Sequence, residues 1–245
     1  MNINLALVLT VLTALSGVIV ALNKFVWRED AESATSGRGK MVEYAQSFFP
    51  VLLIVLVIRS FVFEPFRIPS GSMMPTLLQG DFIFVTKYSY GLRLPVIETK
   101  IVETGEPQRG DVAVFRLPSE PSVNYIKRVV GLPGDTIEYF NHQLTINGEL
   151  MPLSRGGEPA QFRELLGERS HDILINNPGS RASEGVYVVP EGHYFMMGDN
   201  RDNSRDSRYI NAIPETHLVG EAVRIWMHMD GLSWPRWERI GAKIQ

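Results

Sequence analysis

Two strongly apolar segments near the N-terminus constrain this chain more than any other feature. Leu5–Leu22 contains no charged side chain and is close to the length that a helix needs to cross a bilayer. Phe48–Phe63 carries only Arg59, near its end, where a long side chain can reach the headgroups. A cleaved signal peptide is the alternative for the first segment, but no Lys or Arg precedes it. A buried core helix is the alternative for the second. We predict two transmembrane helices, at residues 1–22 and 45–63.

The connection between these segments is basic. Lys24, Arg28, Arg38 and Lys40 lie in it, whereas the short N-terminal tail has no basic side chain. The positive-inside rule therefore predicts that residues 23–44 are a cytoplasmic loop and that both termini face outward. Residues 64–245 would then form one domain on the outer face of the plasma membrane.

The outer domain is expected to be mainly β, built of antiparallel sheets. Short alternating or β-branched runs recur between turn residues, as in half-buried strands. These runs are Asp81–Lys87, Asp111–Leu117, Val123–Val130, Thr136–Phe140, Val186–Val189, Tyr194–Met197 and Val219–Met229. Asn147-Gly148 predicts a hairpin, because both residues tolerate positive φ. Residues 154–184 break this rhythm and are interpreted as an insertion or a long excursion.

Composition excludes several functions. The formal net charge of -3 provides no basic field for a phosphate backbone, so no nucleic acid partner is expected. The chain has no cysteine, which removes disulfides, thiolate nucleophiles and cysteine-ligated metals. Its five histidines are scattered, with no pair at the spacing of a helical zinc site. We therefore expect neither a metal nor another cofactor.

Two segments could carry nucleophilic chemistry. Pro69–Leu77 is a loop with two serines among apolar residues, although such a loop can also be a simple turn. In Tyr125–Val130, a two-residue period places Lys127 and Arg128 on opposite faces of a strand, so one cation should lie among apolar neighbours. Burial can lower a lysine pKa enough to make it a base near neutral pH, whereas arginine stays protonated. The alternative is an edge strand whose charges oppose aggregation.

A third polar segment, Gly198–Arg208, mixes acidic and basic side chains. A calcium loop is one interpretation, but no register supplies the acidic spacing, the glycine and the distal glutamate of an EF-hand. A salt-bridged scaffold loop fits the mixed charges better.

In order along the chain, four motifs closely resemble those of bacterial signal peptidase I, also called leader peptidase. They are Pro69–Met73, Arg109–Val112, Tyr125–Gly131 and Gly198–Arg208. The resemblance implies a two-span anchor with an outer β domain, and a serine endopeptidase that removes signal peptides from exported preproteins. It implies that Ser72 is the nucleophile and Lys127 the general base. The Ser70 hydroxyl and the Ser72 backbone N–H would hold the oxyanion, and Ser204 would orient the lysine.

The resemblance assigns two further groups of residues. Supporting ion pairs would involve Arg128, Asp199, Asp206 and Arg208. Substrate pockets would be lined by Phe66, Ile68, Met73, Leu77, Val114, Tyr125 and Ile126. The implied partners are signal-peptide-bearing preproteins and the phospholipid membrane, with the secretion machinery as a further candidate. The implied location is the bacterial inner membrane, with the catalytic domain on the periplasmic side.

Two other functions remain open from the residues alone. One is a self-cleaving Ser/Lys protease of the kind joined to repressor domains, against which the two membrane spans argue. The other is a membrane-tethered β module that binds exported chains without cleaving them. The C-terminal tryptophans are also ambiguous, since they could dock at the headgroup layer or pack in the core. They are interleaved with arginines, as Arg224, Trp226, Trp234, Arg236, Trp237 and Arg239.

Overall fold

The computed structural model describes residues 5–27, 37–97, 99–180, 183–229, 231 and 234–244. Arg28 and the middle of the predicted cytoplasmic loop lie outside these residues. The chain divides into two compact units. One comprises Met1–Phe63 and Gly91–Glu103, and the other comprises Glu64–Tyr90 and Thr104–Gln245.

The first unit contains two long apolar helices. Helix α1 spans Leu5–Leu22 and continues as a π-helical turn over Asn23–Trp27. Helix α2 spans Gly37–Val57 and continues as a π-helical turn over Ile58–Val62. Both are long and apolar enough to cross a membrane, with mean hydropathies of 2.6 and 2.0. Many of their apolar side chains are exposed, as expected of surfaces that face lipid.

Polar groups within α1 are satisfied locally. The hydroxyls of Thr10, Thr13 and Ser16 donate to carbonyls one turn earlier at 2.7–2.8 Å, so they leave no free donor in an apolar setting. Gly17 permits close packing, because a Cβ there would lie 2.9 Å from the Phe49 ring. These contacts explain why the interruptions in the first apolar run are compatible with a helix.

Helix α2 begins earlier than the predicted second span. The sequence predicts a span from residue 45, whereas the helix starts at Gly37. Its first turns carry Arg38, Lys40 and Glu43, which exclude them from an apolar run although they form a helix. Hydropathy therefore located the apolar part of this helix and not its start. The first unit also contains the two-stranded hairpin of β3 (Leu92–Arg93) and β4 (Lys100–Val102).

The described residues of the second unit form three β-sheets, whose strands are mostly short. The largest sheet has seven strands in the order β1-β2-β16-β5-β6-β14-β15. These are β1 (Phe63–Arg67), β2 (Asp81–Thr86), β16 (Leu218–His228), β5 (Val112–Leu117), β6 (Glu120–Gly131), β14 (His193–Met197) and β15 (Ile213–Pro214). The mainly β prediction is confirmed, and each of the predicted runs corresponds to a strand.

A second sheet has the order β13-β7-β8-β9. Its strands are β13 (Gly185–Val188), β7 (Thr136–Phe140), β8 (Gln143–Ile146) and β9 (Glu149–Leu150). The predicted hairpin joins β8 to β9, and Ile146 pairs with Glu149. Asn147 and Gly148 have φ values of 53° and 80°, as a type I′ turn requires. That hairpin prediction is confirmed.

The segment interpreted as an insertion or a long excursion contains strands between residues 154 and 174. They supply most of a third sheet, β10-β11-β12, formed by β10 (Leu153–Arg155), β11 (Gln161–Leu166) and β12 (Arg169–Leu174). Leu166 belongs to the hydrophobic core cluster that also contains Val130 and Met197. The polar composition of this segment did not indicate strands, because most of the charged side chains lie on the exposed faces of the strands. In Glu164–Leu166 the first and last residues are buried and the middle one is exposed.

The C-terminal tryptophans divide between the two alternatives. Trp226 is half-buried and lies against Phe82 and Phe84, with ring centroids 5.4 and 5.6 Å away. Trp234 and Trp237 are 87% and 69% exposed. Core packing therefore accounts for Trp226, and the docking interpretation remains a prediction for the other two.

Candidate active site

Lys127 lies in the interior of the large sheet. It is on β6, opposite Ala113 of β5, while its neighbour Arg128 pairs with Met197 of β14. The strand is therefore central, and the edge-strand alternative is wrong. The expectation of a buried cation in this stretch is met by Lys127, and Arg128 is buried as well, at 4% and 1% exposure. The alternation fails because this stretch of β6 is covered on both faces.

The Lys127 amine reaches the serine loop. Its Nζ lies 2.8 Å from Oγ of Ser72 and 2.8 Å from the carbonyl oxygen of Ile126. Ser72 is half-buried, whereas Ser70 is exposed, and their Oγ atoms are 3.4 Å apart. The structure therefore brings together the serine and the lysine that lie 55 residues apart in the sequence.

Burial changes the acidity of Lys127. Desolvation lowers its pKa from 10.5 to about 8, although the charges of Asp206 and Asp199 partly oppose the shift. Water stabilises an ammonium ion far better than a protein interior does, so the neutral amine is favoured on burial. At pH 7 about one-tenth of Lys127 is then unprotonated, and a neutral amine can accept a proton from a hydroxyl.

Gly198 permits the close packing of this site. A Cβ at Gly198 would lie 2.6 Å from the Ser72 carbonyl oxygen and 2.6 Å from Cβ of Ser204, and closer still to the Ser204 Oγ. Only glycine fits between these atoms. The Ser204 hydroxyl is buried and has no hydrogen-bond partner among the described residues. Its lysine-orienting role remains a prediction, since the structure gives no hydrogen bond between Ser204 and Lys127.

The predicted supporting residues form two buried bidentate ion pairs. Arg128 donates to both carboxylate oxygens of Asp199 at 2.8 and 2.7 Å. Arg208 donates to both of Asp206 at 2.8 Å. Asp206 also accepts from the backbone N–H of Gly198 at 2.9 Å. These pairs anchor the loop that follows Gly198, which fits the interpretation of Gly198–Arg208 as a salt-bridged scaffold loop.

Sequence reasoning missed the other half of this ionic network. Arg201 makes a bidentate pair with Glu164, and Nε2 of His171 lies 3.4 Å from the same carboxylate. Burial alone would raise the pKa of Glu164, but Arg201 and His171 together outweigh burial and lower that pKa strongly. Burial would likewise raise the pKa of Asp199, and the Arg128 charge lowers it. Strand β11 supplies Glu164, so the segment interpreted as an insertion contributes to the buried network.

Most residues predicted to line substrate pockets are buried. They belong to one hydrophobic cluster with residues of β2, β5 and β16. Met73 and Leu77 have no exposed surface. In this conformation they can support the residues that line a pocket but cannot contact a substrate. Phe66 and Tyr125 are half-buried, and Ile68, Val114 and Ile126 are buried. The assignment of these seven residues to substrate binding remains a prediction.

The site places a serine hydroxyl at hydrogen-bonding distance from a buried lysine, in a mainly β chain with two apolar N-terminal helices. A serine-type peptidase anchored in a membrane has these features. The family model described as signal peptidase, peptidase S26, matches residues 41–227. The chain therefore belongs to the signal peptidase family, peptidase S26.

Individual relatives agree with this assignment. A signal peptidase I of Pseudomonas fluorescens is 46% identical, over 96% of this chain and 94% of its own length. One of Pseudomonas aeruginosa is 52% identical, over 80% of this chain and 74% of its own length. A crystal structure of a signal peptidase I from Enterococcus faecalis V583 is 29% identical, covering 47% of this chain and 96% of that one, with a TM-score of 0.32. The family assignment rests on the sequence matches.

Proposed function

We propose that this protein removes N-terminal signal peptides from exported preproteins, with Ser72 as nucleophile and Lys127 as general base. One observation carries the proposal: the Lys127 Nζ lies 2.8 Å from the Ser72 Oγ while its pKa is lowered to about 8. A serine hydroxyl is a weak nucleophile until a nearby base removes its proton. Membership of the signal peptidase family supports a preprotein with a signal peptide as the substrate.

The reaction follows from this pair. Neutral Lys127 takes the Ser72 proton as Oγ attacks the scissile carbonyl, and the resulting ammonium then donates that proton to the leaving amine. An ester-linked acyl-enzyme remains on Ser72. Lys127, neutral again, activates a water molecule that hydrolyses the ester. The Ser70 hydroxyl and the Ser72 backbone N–H are proposed to stabilise the negative oxygen that develops in both steps.

The supporting groups act on geometry rather than on the substrate. The Arg128–Asp199 and Arg208–Asp206 pairs hold the chain around Gly198, which in turn contacts Ser72 and Ser204. Ser204 is proposed to orient the Lys127 amine. The buried apolar residues behind the serine loop favour pockets that accept small side chains, as the small-residue end of a secretory signal requires.

Purified full-length protein with a preprotein substrate tests this function. Ser72→Ala and Lys127→Ala should each abolish processing. Lys127→Arg should be equally inactive, because a guanidinium stays protonated. The far-UV circular dichroism of each variant reports whether the fold is retained. Substantial cleavage by either alanine variant would contradict the Ser/Lys pair, and binding of the preprotein without cleavage by the parent protein would favour the binding-module alternative.

We further propose that both helices span the inner membrane, with residues 23–44 in the cytoplasm and the catalytic domain in the periplasm. The basic residues Lys24, Arg38 and Lys40 support this orientation. Because the chain has no cysteine, single-cysteine variants in intact cells can be labelled with a maleimide that permeates the outer membrane only. Cysteine at Glu120 should react and cysteine at Lys40 should react only after lysis. The opposite pattern would reverse the proposed topology.

A further inference from the structure

We infer that Asn200 is a positioning residue that fixes the oxyanion-binding peptide of the serine loop, and that Asn176 orients it. The inference rests on the proposed function, since it takes Ser72 as the nucleophile. It concerns two asparagines whose described side-chain hydrogen bonds go to the serine loop and to each other, and it gives a role to the segment 154–184.

Asn200 contacts the serine loop through two hydrogen bonds. Its backbone N–H donates to the Ser72 carbonyl at 3.1 Å, and its side-chain Nδ2 donates to the Gly71 carbonyl at 3.0 Å. Asn200 is 5% exposed, so water competes little for these bonds. The two carbonyls flank the nucleophile directly, and Asn200 therefore holds the backbone on both sides of Ser72.

The bond to Gly71 determines the direction of the proposed oxyanion donor. The carbonyl of Gly71 and the N–H of Ser72 belong to one planar trans peptide group, so fixing the carbonyl fixes the N–H. The Gly71 carbonyl also accepts from the Met74 N–H at 3.1 Å. Two donors on one carbonyl polarise the peptide and strengthen its N–H as a hydrogen-bond donor. Asn200 thus acts through the peptide group and not on the substrate.

Asn176 stabilises the orientation of the Asn200 amide that the Gly71 carbonyl requires. A carbonyl only accepts, so the Asn200 atom that faces Gly71 must be Nδ2. Oδ1 of Asn200 then faces away and accepts from Nδ2 of Asn176 at 3.1 Å. The opposite amide orientation would place two acceptors against each other at Gly71 and two donors against each other at Asn176. The pair therefore has one favourable arrangement.

The segment that carries Asn176 is itself fixed to the scaffold loop. Leu174 donates through its N–H to the Asp199 carbonyl and accepts from the Arg201 N–H, both at 2.9 Å. The Asn177 N–H donates to Asp202 at 2.7 Å. Residues just beyond β12 thus run beside the loop and present Asn176 to Asn200. The three-stranded sheet is thereby linked to the serine loop through the hydrogen bond between Asn176 and Asn200.

The test uses the purified full-length protein and a preprotein substrate, with the variants Asn200→Ala, Asn176→Ala and their combination. We expect Asn200→Ala to lower kcat about tenfold, equivalent to ~1.4 kcal/mol, with KM changed less than about twofold, because the lost interaction acts in the transition state. The pH midpoint of kcat/KM should not move, since Lys127 is untouched. Asn176→Ala should lower kcat about threefold, because one orienting hydrogen bond is lost.

The combination distinguishes positioning from general stability. If Asn176 acts only by orienting Asn200, the double variant should have the kcat of Asn200→Ala alone. Asn177→Ala is the matched control, because it keeps the backbone N–H that contacts Asp202, and it should retain full activity. Should Asn200→Ala fail to fold, the kcat and KM of Asn176→Ala decide the question by themselves.

Several outcomes would overturn the inference. These are an unchanged kcat in Asn200→Ala, a rise in KM at constant kcat, a shifted pH midpoint, or independent multiplying effects of the two substitutions. Ser72→Ala in the same assay separates this inference from the proposed function. Activity in Ser72→Ala would refute the function, whereas an inactive Ser72→Ala beside a fully active Asn200→Ala would refute only the role of Asn200.

Discussion

Replacing Lys127 with methionine should abolish peptidase activity and stabilise the folded protein. Methionine has a similar length and no charge, so it fills the same space without the cost of burying an ammonium ion. Lys127 is 4% exposed, and burial lowers its pKa from 10.5 to about 8. A fold that becomes more stable when its proposed base is removed would show that the site is maintained at the expense of stability.

The pKa values set the magnitude and its dependence on pH. Each pKa unit corresponds to about 1.4 kcal/mol, so a shift from 10.5 to about 8 costs the folded state about 3 kcal/mol. The folded state binds fewer protons than the unfolded chain between these two pKa values. The full cost is therefore present below pH 8, and stability recovers as the pH rises from about 8 to 10.5.

Thermal unfolding of the full-length protein in detergent at several pH values measures this effect. At pH 7 we expect the Lys127→Met variant to unfold roughly 6–12 °C above the parent, from about 2–4 °C per kcal/mol for a protein of this size. The difference should shrink as the pH rises towards 10. Equal unfolding temperatures at pH 7, or a difference that does not depend on pH, would show that burial does not lower the pKa of Lys127.

Two further substitutions test the packing of the site. Gly198→Ala should lower kcat at least tenfold, equivalent to ~1.4 kcal/mol, because the new Cβ would lie 2.6 Å from both the Ser72 carbonyl oxygen and the Ser204 Cβ. Steady-state kinetics of the folded variant measures this effect. A wild-type kcat would contradict the close approach of these atoms. Asp199→Asn should destabilise the protein by about 3–5 kcal/mol, because it leaves the Arg128 charge buried without its partner. Thermal unfolding measures that cost, and an unchanged unfolding temperature would show that the pair contributes nothing.

Alternation of apolar and polar residues predicted the strands well where one face of a sheet meets the core. Thr136–Phe140 matches β7 at both ends, and the Asn147-Gly148 turn follows from local φ preferences. At Lys127 and Arg128 the same rule predicted a buried cation but not that both are buried, because β6 is covered on both faces there. Alternation encodes a sheet with one solvated face, and it does not apply to a strand buried on both sides.

The candidate site depended on contacts that no local pattern encodes. Ser72 and Lys127 were paired through a family resemblance, and their 2.8 Å approach comes from the tertiary fold. Glu164 and Arg201 were not found, since isolated charges in polar segments look solvated until both partners are placed. Gly198 belongs to one of the four motifs, but its steric role could not be predicted, because it arises from Ser72 and Ser204 rather than from an unusual φ.

The dependence of kcat/KM on pH shows whether Lys127 is a general base with a lowered pKa, because it reports the pKa of the base in the free enzyme. A Lys127 pKa of about 8 leaves about one-tenth of the lysine neutral at pH 7 and about nine-tenths at pH 9. We predict that kcat/KM rises with pH and levels off above a midpoint near 8. A midpoint near the ordinary lysine value of 10.5, or a rate independent of pH between 7 and 9, would contradict it.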